Sequence, residues 1–175
     1  MIDGLGEYFY GEGDDTLAGA VVSALREKGL TLSAAESVTG GAFSSALVGV
    51  PGASAVFLES CVTYSNESKT RLLGVSEETL LRHGAVSAQT AEEMAIGAAR
   101  ASGSDVAISF TGIAGPGGAT AEKPVGLVYV SLFKGGQTVT GRHVLFGDRN
   151  RVRDRAVAIG FDMVLKALGK KHRNE

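Results

Sequence analysis

Four stretches of this chain carry residue types that can do chemistry. The first is Ala35-Glu36-Ser37-Val38-Thr39-Gly40-Gly41, where a short apolar run gives way to small residues. A serine at such a junction stands at the carboxyl end of a strand, the edge where α/β folds place ligands. Amides at the following helix start can hold an anion or a developing oxyanion. The segment lacks the Lys-Ser/Thr ending of a Walker A loop and the glycine spacing of a Gly-x-Ser-x-Gly elbow. Helix capping by Ser37 and Thr39 is the competing role.

The second stretch is Tyr64-Ser65-Asn66-Glu67-Ser68-Lys69. A lysine beside a tyrosine lowers the phenol pKa or is itself deprotonated, and either group can then take a serine's proton without histidine. The competing role is a rim tyrosine and a solvent lysine. The third is Phe110-Thr111-Gly112-Ile113-Ala114-Gly115-Pro116-Gly117-Gly118. Its glycines allow positive φ and leave amides open to an anion, although a long turn needs the same residues. It is not a Gly-x-Gly-x-x-Gly dinucleotide fingerprint.

The fourth stretch, Phe146 to Arg155, holds Arg149, Arg151, Arg153 and Arg155 at an expected helix start. Arginines there oppose the helix macrodipole. Bidentate recognition of phosphate or carboxylate is one reason for them, and pairing with Asp148 and Asp154 is the other. They divide into two faces, 149/153 and 151/155. His83, His143 and His172 are scattered, so no zinc spacing occurs. Cys61 reads as a small core residue, and Asp105 as a turn residue opening a strand.

These stretches need elements to hold them. Apolar spacing predicts a helix from Asp14, capped by Asp14 or Asp15, to Lys28, and a strand over 30–35. A small-residue helix opens at Thr39 and runs to Val48. A strand over 59–65, helices over 66–73, 76–83 and 87–101, and a strand over 105–110 follow. Residues 111–123 read as a glycine-rich loop. Strands over 125–133 and 138–146 meet at a Gly135-Gly136 hairpin. Asp148 caps a last helix to Leu168. Alternating helices and strands make an α/β layer fold, and the hairpin makes its sheet mixed. One domain over 14–169 is expected, between an aromatic arm (1–13) and a solvated tail (170–175).

Composition limits the partners. Lys plus Arg is 17 against 19 acidic residues, giving a net charge of −2 over 175 residues. That balance offers nucleic acid and anionic membrane no global attraction. No apolar run approaches a membrane span, and the N-terminal residues lack the pattern of a secretory signal. A single cysteine excludes an internal disulfide framework and fits a reducing cytoplasm. Glycine is unusually frequent, 25 residues, and it clusters in the stretches above.

Taken in order, AESVTGG, VPGASAVF, VTYSNESK with RLLGV, TGIAGPGG, KPVGLVYV and FGDRNRVR resemble the CinA C-terminal domain family, from about Asp14 to Leu168. The family includes nicotinamide-nucleotide amidases, and some members carry a further N-terminal domain. The resemblance implies a three-layer α/β/α sandwich. It implies metal-free and cofactor-free hydrolysis of the carboxamide of nicotinamide mononucleotide (NMN), within NAD salvage or the disposal of mononucleotide released in bacterial DNA ligation. Ser37 is then the nucleophile, with Tyr64 and Lys69 as the base system. Thr39, Gly40, Gly41, Asn66, Thr111, Gly112, Gly115, Gly117, Arg149 and Arg151 contact substrate, Arg151 being the better match for the substrate arginine. Val38 departs from many relatives, which have cysteine there. The glycine- and alanine-rich faces and aromatic arm suggest a homo-oligomer. The alternative is a non-catalytic nucleotide-binding module of the same family.

Overall fold

The computed structural model describes residues 16–170. The expected aromatic arm and most of the tail lie outside them. Helix α1 (Leu17–Lys28) is capped by Thr16, whose hydroxyl accepts from Gly19 N at 3.0 Å. The cap is therefore Thr16 and not Asp14 or Asp15. Strand β1 (Leu32–Glu36) is buried along its whole length. Helix α2 (Ala42–Val48) starts three residues later than Thr39, because Gly40 and Gly41 take φ of 59° and 92° and form a turn first. A 3₁₀ turn (Ala53–Ala55) leads into β2 (Phe57–Val62).

Helix α3 (Asn66–Leu73) is capped by the Ser65 hydroxyl, so Ser65 leaves the expected strand. Then come α4 (Glu77–His83), α5 (Ala88–Ser102) and β3 (Val106–Gly112). Strand β3 runs two residues past Phe110, because Thr111 and Gly112 pair with Tyr129 and Val128 of β4 (Leu127–Lys134). Strand β5 (Gln137–Val144) completes the hairpin. Helix α6 (Arg149–Ala167) is capped by Asp148 as expected. Lys170, expected in the solvated tail, forms an ion pair with Glu27 at 2.6 Å.

The strands lie in the order β2-β1-β3-β4-β5. The first three run parallel, and β4 and β5 run antiparallel to their neighbours. Helices α1, α2 and α6 cover one face, and α3, α4 and α5 the other. The fold is thus the three-layer α/β/α sandwich with a mixed sheet. On the α6 face Phe43 stacks on Phe161 with ring centroids 4.4 Å apart, and Phe110 lies beside them at 5.1 Å from Phe43. Gly160 of α6 touches this cluster, and a Cβ there would collide with the Phe110 ring. On the other face Met94, Ala98 and Leu73 pack on Ala35 and Ala107.

Asp105 is more than a turn residue. Its carboxylate accepts from Thr31 N and Oγ1 at 2.8 and 2.7 Å, tying the start of β3 to that of β1. Cys61 is half-buried on the edge strand β2, where burial and the nearby Glu59 carboxylate push its thiol pKa up. Among the described residues no helix is long and apolar enough to cross a membrane. The carboxyl ends of the three parallel strands release Ser37, Thr63-Tyr64 and Ile113 at one edge of the sheet. Three of the four chemistry-bearing stretches therefore converge without a long connection.

Candidate functional site

A cavity of about 270 Å³ opens at that edge. Ser37, Val38, Tyr64, Lys69, Thr111, Gly112, Gly115, Gly117 and Arg149 line it, together with Ala85, Val86, Ile113, Ala114 and Gly118. Lys69 is the central group. It sits at the fourth position of α3, is 1% exposed, and donates from Nζ to the Thr63 carbonyl at 2.7 Å. The same nitrogen lies 3.2 Å from Ser37 Oγ. Burial pushes the lysine pKa down, because the ammonium loses hydration there and no carboxylate among the described residues pairs with it. A neutral amine at this distance can accept the serine proton.

The turn that presents Ser37 is pinned by a buried carboxylate. Glu36 is fully buried at the end of β1. Its oxygens accept from the amides of Gly41, Phe43 and Ser44 at 2.9, 3.2 and 2.9 Å, and from the Ser44 hydroxyl. Those amides are orphan donors at the start of α2, so Glu36 caps that helix from the strand before it. Ser37 N donates to the Phe110 carbonyl at 3.0 Å, holding the nucleophile to β3.

Gly40 N donates to the Ser37 carbonyl at 3.2 Å and Gly41 N to Glu36, so neither glycine amide is free for a ligand. The amides of Val38 and Thr39 meet no acceptor among the described residues. Of those two residues only Val38 lines the cavity. Its N–H is uncommitted and adjoins the nucleophile in the chain. Thr39 is fully buried, with Oγ1 unpartnered and its carbonyl accepting from Arg153. Thr39, Gly40 and Gly41 thus build the turn from behind and do not line the cavity.

On the far wall, the amides of Ala114, Gly115, Gly117 and Gly118 have no acceptor among the described residues. Arg149 stands beside them, donating to the Gly115 carbonyl at 2.9 Å and to the Tyr64 hydroxyl at 3.2 Å. Both acceptors are neutral, so its charge stays available to an anion. Tyr64 is 69% exposed, and its phenol meets Arg149 and reaches neither Ser37 nor Lys69. Within the expected base system the direct contact to Ser37 is made by Lys69. The buried Thr111 hydroxyl donates to the Ala85 carbonyl at 2.6 Å and so holds the Ala85-Val86 wall.

Two expected contacts lie elsewhere. Arg151 is exposed and only approaches Asp148, at 4.0 Å. Residues two apart on a helix point in nearly opposite directions, so Arg149 and Arg151 cannot share the cavity. Arg149 is the arginine at the site, and the 149/153 face is the one turned inward. Asn66 begins α3 and lines a separate groove between α3 and α4, with Leu80 and Leu81. Glu36, Ala85 and Val86 were not singled out from sequence. A glutamate at a strand end gives no hint that the amides it binds lie five to eight residues ahead. Among the described residues no three His, Cys, Asp or Glu side chains gather as a metal site.

Residues 14–168 match the model of the CinA C-terminal domain. A CinA-like protein of Kosmotoga olearia is 52% identical over 164 residues, covering 94% of this chain and 40% of the relative. The chain therefore spans about two fifths of that relative's length. Among solved structures, the competence/damage inducible protein CihA from Agrobacterium tumefaciens superposes with TM-score 0.84 at 42% identity, covering 88% of this chain and 94% of that one. A CinA superfamily protein from Escherichia coli superposes with TM-score 0.83 at 30% identity, covering 95% and 99%.

Proposed function

The chain belongs to the CinA C-terminal domain family, and from that premise we propose that it is a serine amidohydrolase acting on the carboxamide of nicotinamide mononucleotide. The products are nicotinic acid mononucleotide and ammonia. The observation that carries the reading is the buried lysine Nζ 3.2 Å from Ser37 Oγ, with an uncommitted amide on the next residue.

In this reading neutral Lys69 takes the Ser37 proton as Oγ attacks the amide carbon. The oxyanion receives the Val38 N–H. Collapse of the tetrahedral intermediate breaks the C–N bond, and Lys69 returns the proton to the departing ammonia. Water then attacks the acyl ester, losing its proton to Lys69, which passes it to Ser37 Oγ as the ester cleaves. Arg149 and the open amides of residues 114–118 take the 5′-phosphate. Tyr64 orients Arg149 at the rim of the cavity.

The test is ammonia release from NMN by chelator-treated protein, beside Ser37→Ala and Lys69→Met. Release by the wild type alone supports the amidase. Thermal stabilisation by NMN without release from any of the three would replace it with a nucleotide-binding module.

A further inference from the structure

Arg149 and Arg153 stand one turn apart on the inward face of α6. Arg149 lines the cavity, and Arg153 does not. Instead Arg153 donates from Nε and Nη2 to a single atom, the Thr39 carbonyl oxygen, at 3.3 and 2.7 Å. Its other side-chain partner is Asn150 Oδ1 at 3.5 Å, and no carboxylate pairs with it among the described residues. A cation without a counter-ion is thus committed to a main-chain carbonyl two residues beyond the nucleophile.

The hydrogen bonding continues from that carbonyl. It belongs to the Thr39–Gly40 peptide, whose N–H donates to the Ser37 carbonyl at 3.2 Å. That carbonyl belongs to the Ser37–Val38 peptide, whose own N–H has no acceptor among the described residues. Two peptide dipoles therefore lie head to tail between the guanidinium and the amide beside the nucleophile. Hydrogen bonds in such a chain polarise one another, and more strongly where water is excluded. Thr39 is fully buried and Val38 is 8% exposed.

We propose that Arg153 is a positioning residue for the reaction: acting through the Thr39–Gly40 and Ser37–Val38 peptides, it fixes and polarises the Val38 N–H that receives the oxyanion. This rests on the reading of Ser37 as nucleophile. The effect grows as negative charge develops on the substrate oxygen, so it belongs to the transition state more than to the bound substrate. Lysine keeps the charge but not the planar fork that places two N–H groups on one oxygen.

The experiment compares wild type, R153K and R153M in three measurements. The first is ammonia release from NMN, with kcat and KM taken separately. The second is affinity for 3-formylpyridine mononucleotide, whose carbonyl carbon adds Ser37 Oγ while the serine proton passes to Lys69, leaving an oxyanion. The third is affinity for pyridine mononucleotide, which lacks the carboxamide and so offers no oxygen to the Val38 N–H. In R153M kcat should fall about tenfold, less than the roughly hundredfold loss when an oxyanion donor is deleted outright. KM and pyridine mononucleotide affinity should stay within about twofold, aldehyde affinity should fall by the same factor as kcat, and R153K should recover part of both.

An unchanged kcat, or pyridine mononucleotide and aldehyde affinities falling together, overturns the proposal. Should R153M fail to fold, R153K still decides, because its losses must again appear in kcat and aldehyde binding but not in pyridine mononucleotide binding. If the wild type binds the aldehyde covalently but releases no ammonia, the amidase reading fails while the role of Arg153 is still decided by the aldehyde affinities. If the wild type forms no adduct, the proposal fails whatever the ammonia assay gives.

Discussion

On one wall of the cavity, the turn from Ser37 to Gly41 is tied to the protein through the amides of its two glycines and the carbonyl of Thr39, and the Val38 amide beside the nucleophile is left open. Glu36 takes the Gly41 amide, Ser37 takes that of Gly40, and Arg153 takes the Thr39 carbonyl. On the other wall, four amides between Ala114 and Gly118 have no protein acceptor, and Arg149 reaches only neutral oxygens. The closed wall holds the group that forms a bond, where an error of an ångström is expensive. The open wall keeps donors for a ligand that brings its own acceptors. The contrast separates two kinds of mutational effect, on turnover and on binding.

Breaking the closed wall at its chemistry should have the largest consequence. Ser37→Ala and Lys69→Met should each lower ammonia release by about 10⁴-fold or more, while the product acid still raises the melting temperature. Substantial turnover in Lys69→Met would hand the base role to another group. The pH profile sharpens the same point. Only neutral Lys69 accepts a proton, and burial has moved its pKa below the ordinary lysine value. kcat/KM should therefore fall as pH drops through that lowered pKa, about tenfold per unit once the ammonium predominates. A flat acid limb would contradict a lysine base.

The open wall should respond in KM. Arg149→Met removes the cation and should raise KM for NMN by roughly ten- to hundredfold, with kcat changed much less. Gly115→Val should act in the same direction. Gly115 has φ of 81°, and a Cβ there would lie 2.6 Å from Val125 Cγ1, so the loop must move. A loss confined to kcat in either variant would dissolve the distinction between the walls.

The closed wall also carries stability. Glu36→Gln replaces one acceptor with an NH₂ group facing amide donors in a fully buried place, and should cost about 2–4 kcal/mol. Denaturant titration would measure it, and a loss below about 0.5 kcal/mol, the usual size of a surface substitution, would show the turn held by other contacts.

Much of this arrangement was legible in the residues. Ser37, Lys69 and the 111–118 glycines each follow a strand, and parallel strands bring their carboxyl ends together, so local pattern plus topology placed them. The α/β layer fold with its mixed sheet and the Asp148 cap follow from spacing as well, and the three-layer arrangement from the family resemblance. What escaped was rotational phase and distance. Arg149 and Arg151 are equal as letters, but the helix sends them to opposite sides. Asn66 looked like part of the Lys69 motif, yet at the first position of α3 it lines the groove toward α4, and only Lys69 reaches Ser37. The Arg153–Thr39 bond joins residues 114 apart in sequence, and no local spacing encodes it.

The smallest expected effect tests whether an unpartnered polar atom by itself signals a ligand. His143 of β5 pairs across from Val128, and its Nε2 is buried with no partner, like the loop amides but away from the cavity. Burial lowers its pKa below the ordinary 6.5. Between that lowered value and 6.5 the unfolded chain binds more protons than the folded one, so stability rises with pH in this window. The contribution is complete above about pH 6.5 and is lost as pH falls through the folded-state value. His143→Leu cannot be protonated, so its melting temperature should gain on the wild type as pH is taken from 7.5 to 5, and kcat and KM at pH 7.5 should not change. A temperature difference constant over that range would mean His143 is as well solvated folded as unfolded. A raised KM would mean that the hairpin side of the sheet is coupled to the open wall after all.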